Sequence, residues 1–278
     1  MILWEYLKAI FLGIVEGITE WLPISSTGHM ILLDEFINLD VSSEFLSMFL
    51  VVIQLGAICA VPVLFWDRLN PFSIKNDRTE QKKILNVWGK VLLGSVPAAF
   101  LGLLFDDILD KYLYNYIVVA IALIVYGIAF IFAEKSRAER KNIIASVDSL
   151  SYIDAIKIGA FQSLSLIPGT SRSGSTILGG MLLGVSREAS AEFSFFMAIP
   201  IMLGASVLKI LKFLLSGFTA TCEELLLLLT GISVSFIVSV IVIRILMDYV
   251  KRNDFKPFGV YRVILGFIVL IYFAVKFF

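Results

Sequence analysis

Three stretches of this chain, residues 45–66, 112–133 and 225–243, contain no charged residue. A helix of about 20 mostly apolar residues crosses a hydrocarbon core ~30 Å thick, so runs of this length and purity are made for a bilayer. The third run continues past Arg244 to residue 247, and three more qualify at 87–105, 193–213 and 258–277. These last carry only Lys90, Lys209 with Lys212, and Arg262 with Lys276, mostly near an end, where long cationic side chains are expected to snorkel to the interface. Composition points the same way: the 278 residues are 59% hydrophobic and 17% charged, with mean hydropathy +0.92, where soluble domains hold about 25% charged residues. The reading is an all-α polytopic membrane protein with six transmembrane helices in a single integral membrane domain, 1–278.

Several function classes fall away. The formal net charge is zero, which leaves no case for a nucleic-acid partner. The N-terminus, "MILWEYLKAIFLGIVEG", has acids where a cleavable leader would have a basic region, so no signal peptide is expected. Cys59 and Cys222 are too few for a disulfide framework or a thiolate metal site. His29 is the sole histidine, which excludes any centre built from several imidazoles.

The chain reads as doubled. Residues 43–57, "SEFLSMFLVVIQLGA", align without gaps to 191–205, "AEFSFFMAIPIMLGA", with Glu44, Phe45, Leu55, Gly56 and Ala57 matching Glu192, Phe193, Leu203, Gly204 and Ala205. Gly13, Glu16 and Pro23 precede the first copy much as Gly159, Gln162 and Pro168 precede the second. Basic residues cluster in 67–86 (Arg68, Lys75, Arg78, Lys82, Lys83), in 134–157 (Lys135, Arg137, Arg140, Lys141, Lys157) and at Lys251, Arg252 and Lys256. Placing these in the cytoplasm fixes one alternating topology. Three spans per half, an odd number, make the second half (153–278) inverted relative to the first (1–134). Residues 1–40 and 153–190 then enter from opposite sides as broken, re-entrant helix pairs. Such breaks are tolerated at membrane depth only where protein or a watery cavity covers them, and paired breaks place a ligand site near the midplane.

The first break is "EGITEWLPISSTGH", residues 16–29. Glu16 and Glu20 are four apart, hence on one helical face. An ionised group at the bilayer centre costs at least ~2.5–3.5 kcal/mol, and two adjacent carboxylates repel. A hard divalent cation, Mg²⁺ or Ca²⁺, or an arginine from the other half would relieve both problems. Pro23 ends the helix. Ser25, Ser26 and Thr27 are capping residues, so a second helix is expected to begin near "GHMILLDEF", its N-terminus an anion site with His29 in the first turn as a proton carrier.

The second break, "PGTSRSGST" (168–176), pairs hydroxyls with an arginine. Gly169 and Gly174 admit close backbone approach; Ser171, Ser173, Ser175 and Thr176 supply hydroxyls; Arg172 offers a bidentate fork for phosphate oxygens. The glycine–lysine–serine/threonine ending of a P-loop is missing. Helix is expected to resume at "TILGGMLLG". Gln54 and Gln162 are read equally as hydrogen-bonding support for the site or as interhelical glue.

Together the two stretches resemble the undecaprenyl-diphosphatase family, the bacitracin-resistance type of integral membrane phosphatase, and the resemblance runs over essentially the whole chain. It implies hydrolysis of undecaprenyl diphosphate to the monophosphate and inorganic phosphate. That reaction recycles the lipid carrier of cell-wall peptidoglycan in the bacterial plasma (inner) membrane, with the site facing outward and a divalent cation required. By the same resemblance Glu16 and Glu20 hold metal or activate water, Ser26 is the nucleophile (favoured over His29), and His29 carries protons. Arg172 clamps the diphosphate with Gly169, Ser171, Ser173 and Thr176. The partners implied are a polyprenyl diphosphate and membrane lipids, with a homodimer as a candidate assembly. A transporter or lipid flippase shares the broken-helix architecture but needs no nucleophile. Phosphatidic-acid-type phosphatases use two histidines, and this chain has one.

Overall fold

The computed structural model describes residues 2–34, 36–137 and 144–277. In chain order the helices are α1 (Ile2–Thr19), α2 (Ser26–Asp34), α3 (Ser43–Val52), α4 (Gln54–Leu64), the single turn α5 (Trp66–Leu69), α6 (Arg78–Leu113) and α7 (Tyr116–Arg137). After them come α8 (Tyr152–Ser163), α9 (Arg172–Leu182), α10 (Arg187–Leu215), α11 (Cys222–Arg252) and α12 (Lys256–Phe277). Among the described residues there are six helical segments long and apolar enough to cross a membrane: Ser43–Leu64, Arg78–Phe105, Tyr116–Ser136, Arg187–Leu215, Cys222–Arg252 and Lys256–Lys276. All six expected spans are present. The first is α3 and α4 together, parted by a slip in the helical ladder at Ile53.

At 1.5 Å per residue, α2, α8 and α9, with 9, 12 and 11 residues, are about 14, 18 and 17 Å long and too short to span. Each opening helix of a break packs on a long helix from the other half, α1 on α11 and α8 on α6. Glycines permit the approach. A Cβ on Gly13 would lie 2.8 Å from the Gly231 carbonyl, and one on Gly159 would overlap the Gly94 carbonyl. Between apolar helices in lipid, this close fit supplies the attraction that water would otherwise drive.

The described basic segments gather at one end. Arg68 pairs with Asp148 at 3.0 Å, Lys90 donates to the Asp148 carbonyl at 2.8 Å, and Glu134 accepts from both Arg187 and the Phe255 N–H. Arg140 and Lys141 lie outside the described residues. Beneath the breaks, Trp21, Phe193, Phe195 and Phe196 are fully buried in the main core.

Candidate active site

The two breaks share a backbone frame. Ser25 and Ser171 both stand at positive φ, 74° and 73°, a conformation that strains an ordinary residue and persists where its surroundings enforce it. Each uses its side chain to cap the helix that follows: Ser25 Oγ accepts from the Gly28 N–H at 3.2 Å and Ser171 Oγ from the Gly174 N–H at 3.1 Å. The helices therefore begin earlier than the sequence suggests, α2 at Ser26 rather than Gly28 and α9 at Arg172 rather than Thr176. Serine, a weak former inside a helix, is the natural residue just before one. Neither proline itself stops its helix: α1 ends at Thr19, four residues before Pro23, and α8 ends at Ser163, giving way to one 3₁₀ turn over Leu164–Leu166 ahead of Pro168.

This register puts Ser26 and Arg172 in matching first-turn positions, and both reach Glu20. Ser26 Oγ donates to Glu20 Oε2 at 3.0 Å, while Arg172 Nη2 donates to Glu20 Oε1 at 3.0 Å. The ion pair is enclosed, with 9% and 8% of the two side chains exposed. Arg172 Nη1 donates to the Ser194 carbonyl at 2.6 Å, and the guanidinium lies 5.6 Å from the Trp21 ring centroid. Trp21 is held in turn by an edge contact with Phe195. The arginine is thus fixed from three sides.

The remaining hydroxyls build the frame. Ser173 Oγ donates to the Glu20 carbonyl at 2.9 Å and ties the second break to the first. Thr176 Oγ1 donates to the Arg172 carbonyl at 3.0 Å and shares a 2.6 Å hydrogen bond with Ser194 Oγ. Ser173, Ser175 and Thr176 are buried. Gly169 stands at φ +88°, and a Cβ there would crowd the Val119 backbone at 2.6 Å, so glycine is required.

His29 lies beside this cluster and has its own partners. Nδ1 is 2.7 Å from the Ser25 carbonyl and Nε2 is 2.6 Å from the Tyr261 hydroxyl. A carbonyl only accepts, so Nδ1 carries the hydrogen, and in the neutral ring Nε2 accepts from Tyr261. The two rings stack, 8° from parallel. His29 is not bonded to Ser26.

Three residues escaped the sequence reading. Arg262, expected to snorkel, is fully buried. It donates to the Pro23 carbonyl at 3.1 Å from the first break, and to the Gly169 and Thr170 carbonyls at 2.9 and 2.8 Å from the second. Buried turn carbonyls left without helical partners need donors, and one guanidinium serves three. Ser194 and Tyr261 sit in apolar spans where nothing in the local pattern marks them. Gln162 is buried, and neither its oxygen nor its nitrogen is hydrogen-bonded to another described residue.

Among the described residues no cluster of three or more His, Cys, Asp and Glu forms a closed metal cage. Two carboxylates are nevertheless one turn apart, Glu16 near the end of α1 and Glu20 just past it with its N–H on the Glu16 carbonyl at 3.0 Å, and Glu16 Oε1 is buried with no hydrogen-bond partner. Mg²⁺ is commonly held by one or two carboxylates together with substrate phosphates. The donor set fits an ion bound in that way.

The family model described as Bacitracin resistance protein BacA matches residues 9–268. An undecaprenyl-diphosphatase of Acetivibrio thermocellus is 58% identical over 269 residues, 97% of this chain and 98% of that protein. One of Enterococcus faecalis is 57% identical over 265 residues, covering 95% and 96%, and one of Desulfitobacterium hafniense is 54% identical over 277 residues, covering 99% of each. The matched region contains both breaks, five whole spans, the first half of the sixth and Arg262, and the chain belongs to the bacitracin resistance protein BacA family.

Proposed function

We propose that the protein hydrolyses undecaprenyl diphosphate to undecaprenyl phosphate and inorganic phosphate, returning the carrier to peptidoglycan synthesis and contributing to bacitracin resistance. The names of its relatives support the substrate. One observation carries the mechanism: Ser26 Oγ donates to one oxygen of Glu20 while Arg172 holds the other. A hydroxyl nucleophile, a base and a phosphate-binding cation meet in one hydrogen-bonded run.

In this reading Glu20 takes the Ser26 proton as Oγ attacks the terminal phosphorus. The bond from phosphorus to the bridging oxygen breaks, undecaprenyl phosphate leaves, and the phosphoryl group stays on Ser26. Water then cleaves that ester: its oxygen joins phosphorus and Ser26 recovers a proton. Arg172 clamps the diphosphate and offsets charge on the transferring group. Gly169, Ser171, Ser173 and Thr176 shape the clamp, with the α9 N-terminus adding its dipole. His29, one turn past Ser26, relays protons through Tyr261. Glu16 and Glu20 would hold a divalent cation, Mg²⁺ or Ca²⁺, whose positive charge would offset that of the diphosphate.

We also place the basic end in the cytoplasm of a bacterium, in its plasma (inner) membrane. There α1–α2 and α8–α9 form the re-entrant pairs of an inverted repeat (1–134 and 153–278), with the site facing outward. Gathering of the described basic segments at one end supports that orientation. A homodimer is the proposed assembly, read out by light scattering in detergent.

The test is phosphate release from undecaprenyl diphosphate by purified protein, with and without chelator. Wild type should turn over only with the divalent cation, and Ser26→Ala and Arg172→Ala should both be inactive. Normal hydrolysis by Ser26→Ala would remove the nucleophile assignment, and indifference to chelator would remove the metal role of Glu16 and Glu20.

A further inference from the structure

A cavity of ≈ 610 Å³ lies between α2, α3 and α10, with Tyr114 at its rim, within the range of about 300–1,000 Å³ typical of ligand clefts. Its inner end includes Met30, which sits four residues after Ser26 and so on the same face of α2, one turn away. Along α10, Ser194, Ala205, Leu208 and Lys212 fall on one helical face. The first of these accepts from Arg172 and the other three line the cavity. The walls between are apolar, with Leu46, Leu50 and Val51 from α3.

The mouth is different. Lys209 and Lys212 stand there with Ser43 and Ser47. Lys209 makes no ion pair among the described residues. Glu44, in the adjoining cavity with both lysines, accepts from Ser43 Oγ. Among the described residues lining the mouth, two ammonium groups stand against one carboxylate, at the end of an oily trough that runs to within a turn of Ser26. At 1.5 Å per residue Lys209 is about 22 Å from Ser194 along α10, far enough to meet a headgroup before it descends. A free phosphate ion has no use for apolar walls. An anion carrying a hydrocarbon chain uses both parts.

Resting on the proposed hydrolysis, we propose that this groove is the entry path of the prenyl diphosphate and that Lys209 is the first protein contact of its headgroup. A contact made on the way in acts on capture rather than on the chemical step.

The test is steady-state hydrolysis of undecaprenyl diphosphate by the full-length protein in zwitterionic nanodiscs. Lys209→Glu should raise KM about tenfold at low salt and Lys209→Gln about threefold, with the gap narrowing near ~0.5 M salt as screening takes hold. Lys75→Glu, at the opposite end, should match wild type. Leu208→Trp, which fills the trough, should lower kcat/KM at least tenfold. The proposal is overturned if both Lys209 variants keep KM within twofold, or if kcat falls with KM unchanged, which would make the groove an exit for phosphate. If wild type releases no phosphate, the hydrolysis reading fails separately. Retention of a fluorescent prenyl diphosphate then decides: weaker binding by Lys209→Glu than by wild type sustains the path, and equal binding overturns it.

Discussion

The two breaks are alike in backbone and unlike in chemistry. Ser25 and Ser171 share a left-handed φ and the same capping bond to a glycine three residues on. On that common frame the first break carries Glu16, Glu20 and Ser26, whereas the second, at the matching offsets, has Gln162, Leu166 and Arg172. Neither half is a site alone. An acid pair in lipid lacks a counter-charge, an arginine in lipid lacks an anion, and each is relieved only by the other. The two frames match in backbone, and a few side chains divide the work between them.

The sharpest way to break this comparison is to remove the group unique to each side. Arg172→Ala and Ser26→Ala should each lower kcat by about 10³-fold or more, the scale of a lost transition-state arginine or nucleophile. Arg172→Lys should recover little, because an ammonium cannot hold Glu20 and the Ser194 carbonyl in one plane. Single-turnover phosphate release reads both. Next in size is Glu20→Gln, which keeps the shape but loses the base; a fall of about 10²-fold is expected in the same assay.

Arg262 tests whether the frames must be tied together. Arg262→Met strands three buried carbonyls at ~1–3 kcal/mol each, so the melting temperature should drop and kcat should fall with it. Arg262→Lys, which retains a donor, should restore part of both. Normal kcat in a destabilised Arg262→Met protein would show that the breaks align without it. Glu16→Gln should shift the divalent-cation concentration for half-maximal rate upward by roughly tenfold or more, while Gln162→Asn, its counterpart, should leave that titration unmoved. Smallest of all, Thr176→Val should cost about 1 kcal/mol of stability through the lost bonds to Arg172 O and Ser194, measured by thermal unfolding.

Much of this was legible because lipid punishes exceptions. Long apolar runs could only be spans. Pro23 and Pro168, set among hydroxyls and charges, could only be interruptions, and the cost of lone charges argued that Glu20 and Arg172 would meet. What stayed hidden depends on depth and direction. Arg262 looks like any cation one turn into a span, and only three-dimensional proximity to bare turn carbonyls tells a staple from a snorkel. Ser194 is one hydroxyl in an apolar helix, its partner 22 residues earlier. The partners of the His29 ring, the Ser25 carbonyl and Tyr261, lie four residues back and on the last helix, and no spacing in the first break points to the second of them. The helix starts were misjudged because capping serines and first-turn residues draw on the same alphabet.

Arg262 also binds the fate of the centre to the tail of the polypeptide. A ribosome that has made everything through α11 has already laid down Glu20, Ser26 and Arg172, but the guanidinium that gathers their loops is still to come. Assembly of the working centre must therefore wait for the last helix to insert, and a product truncated after α11 should reach the membrane complete in its reactive groups and incompetent.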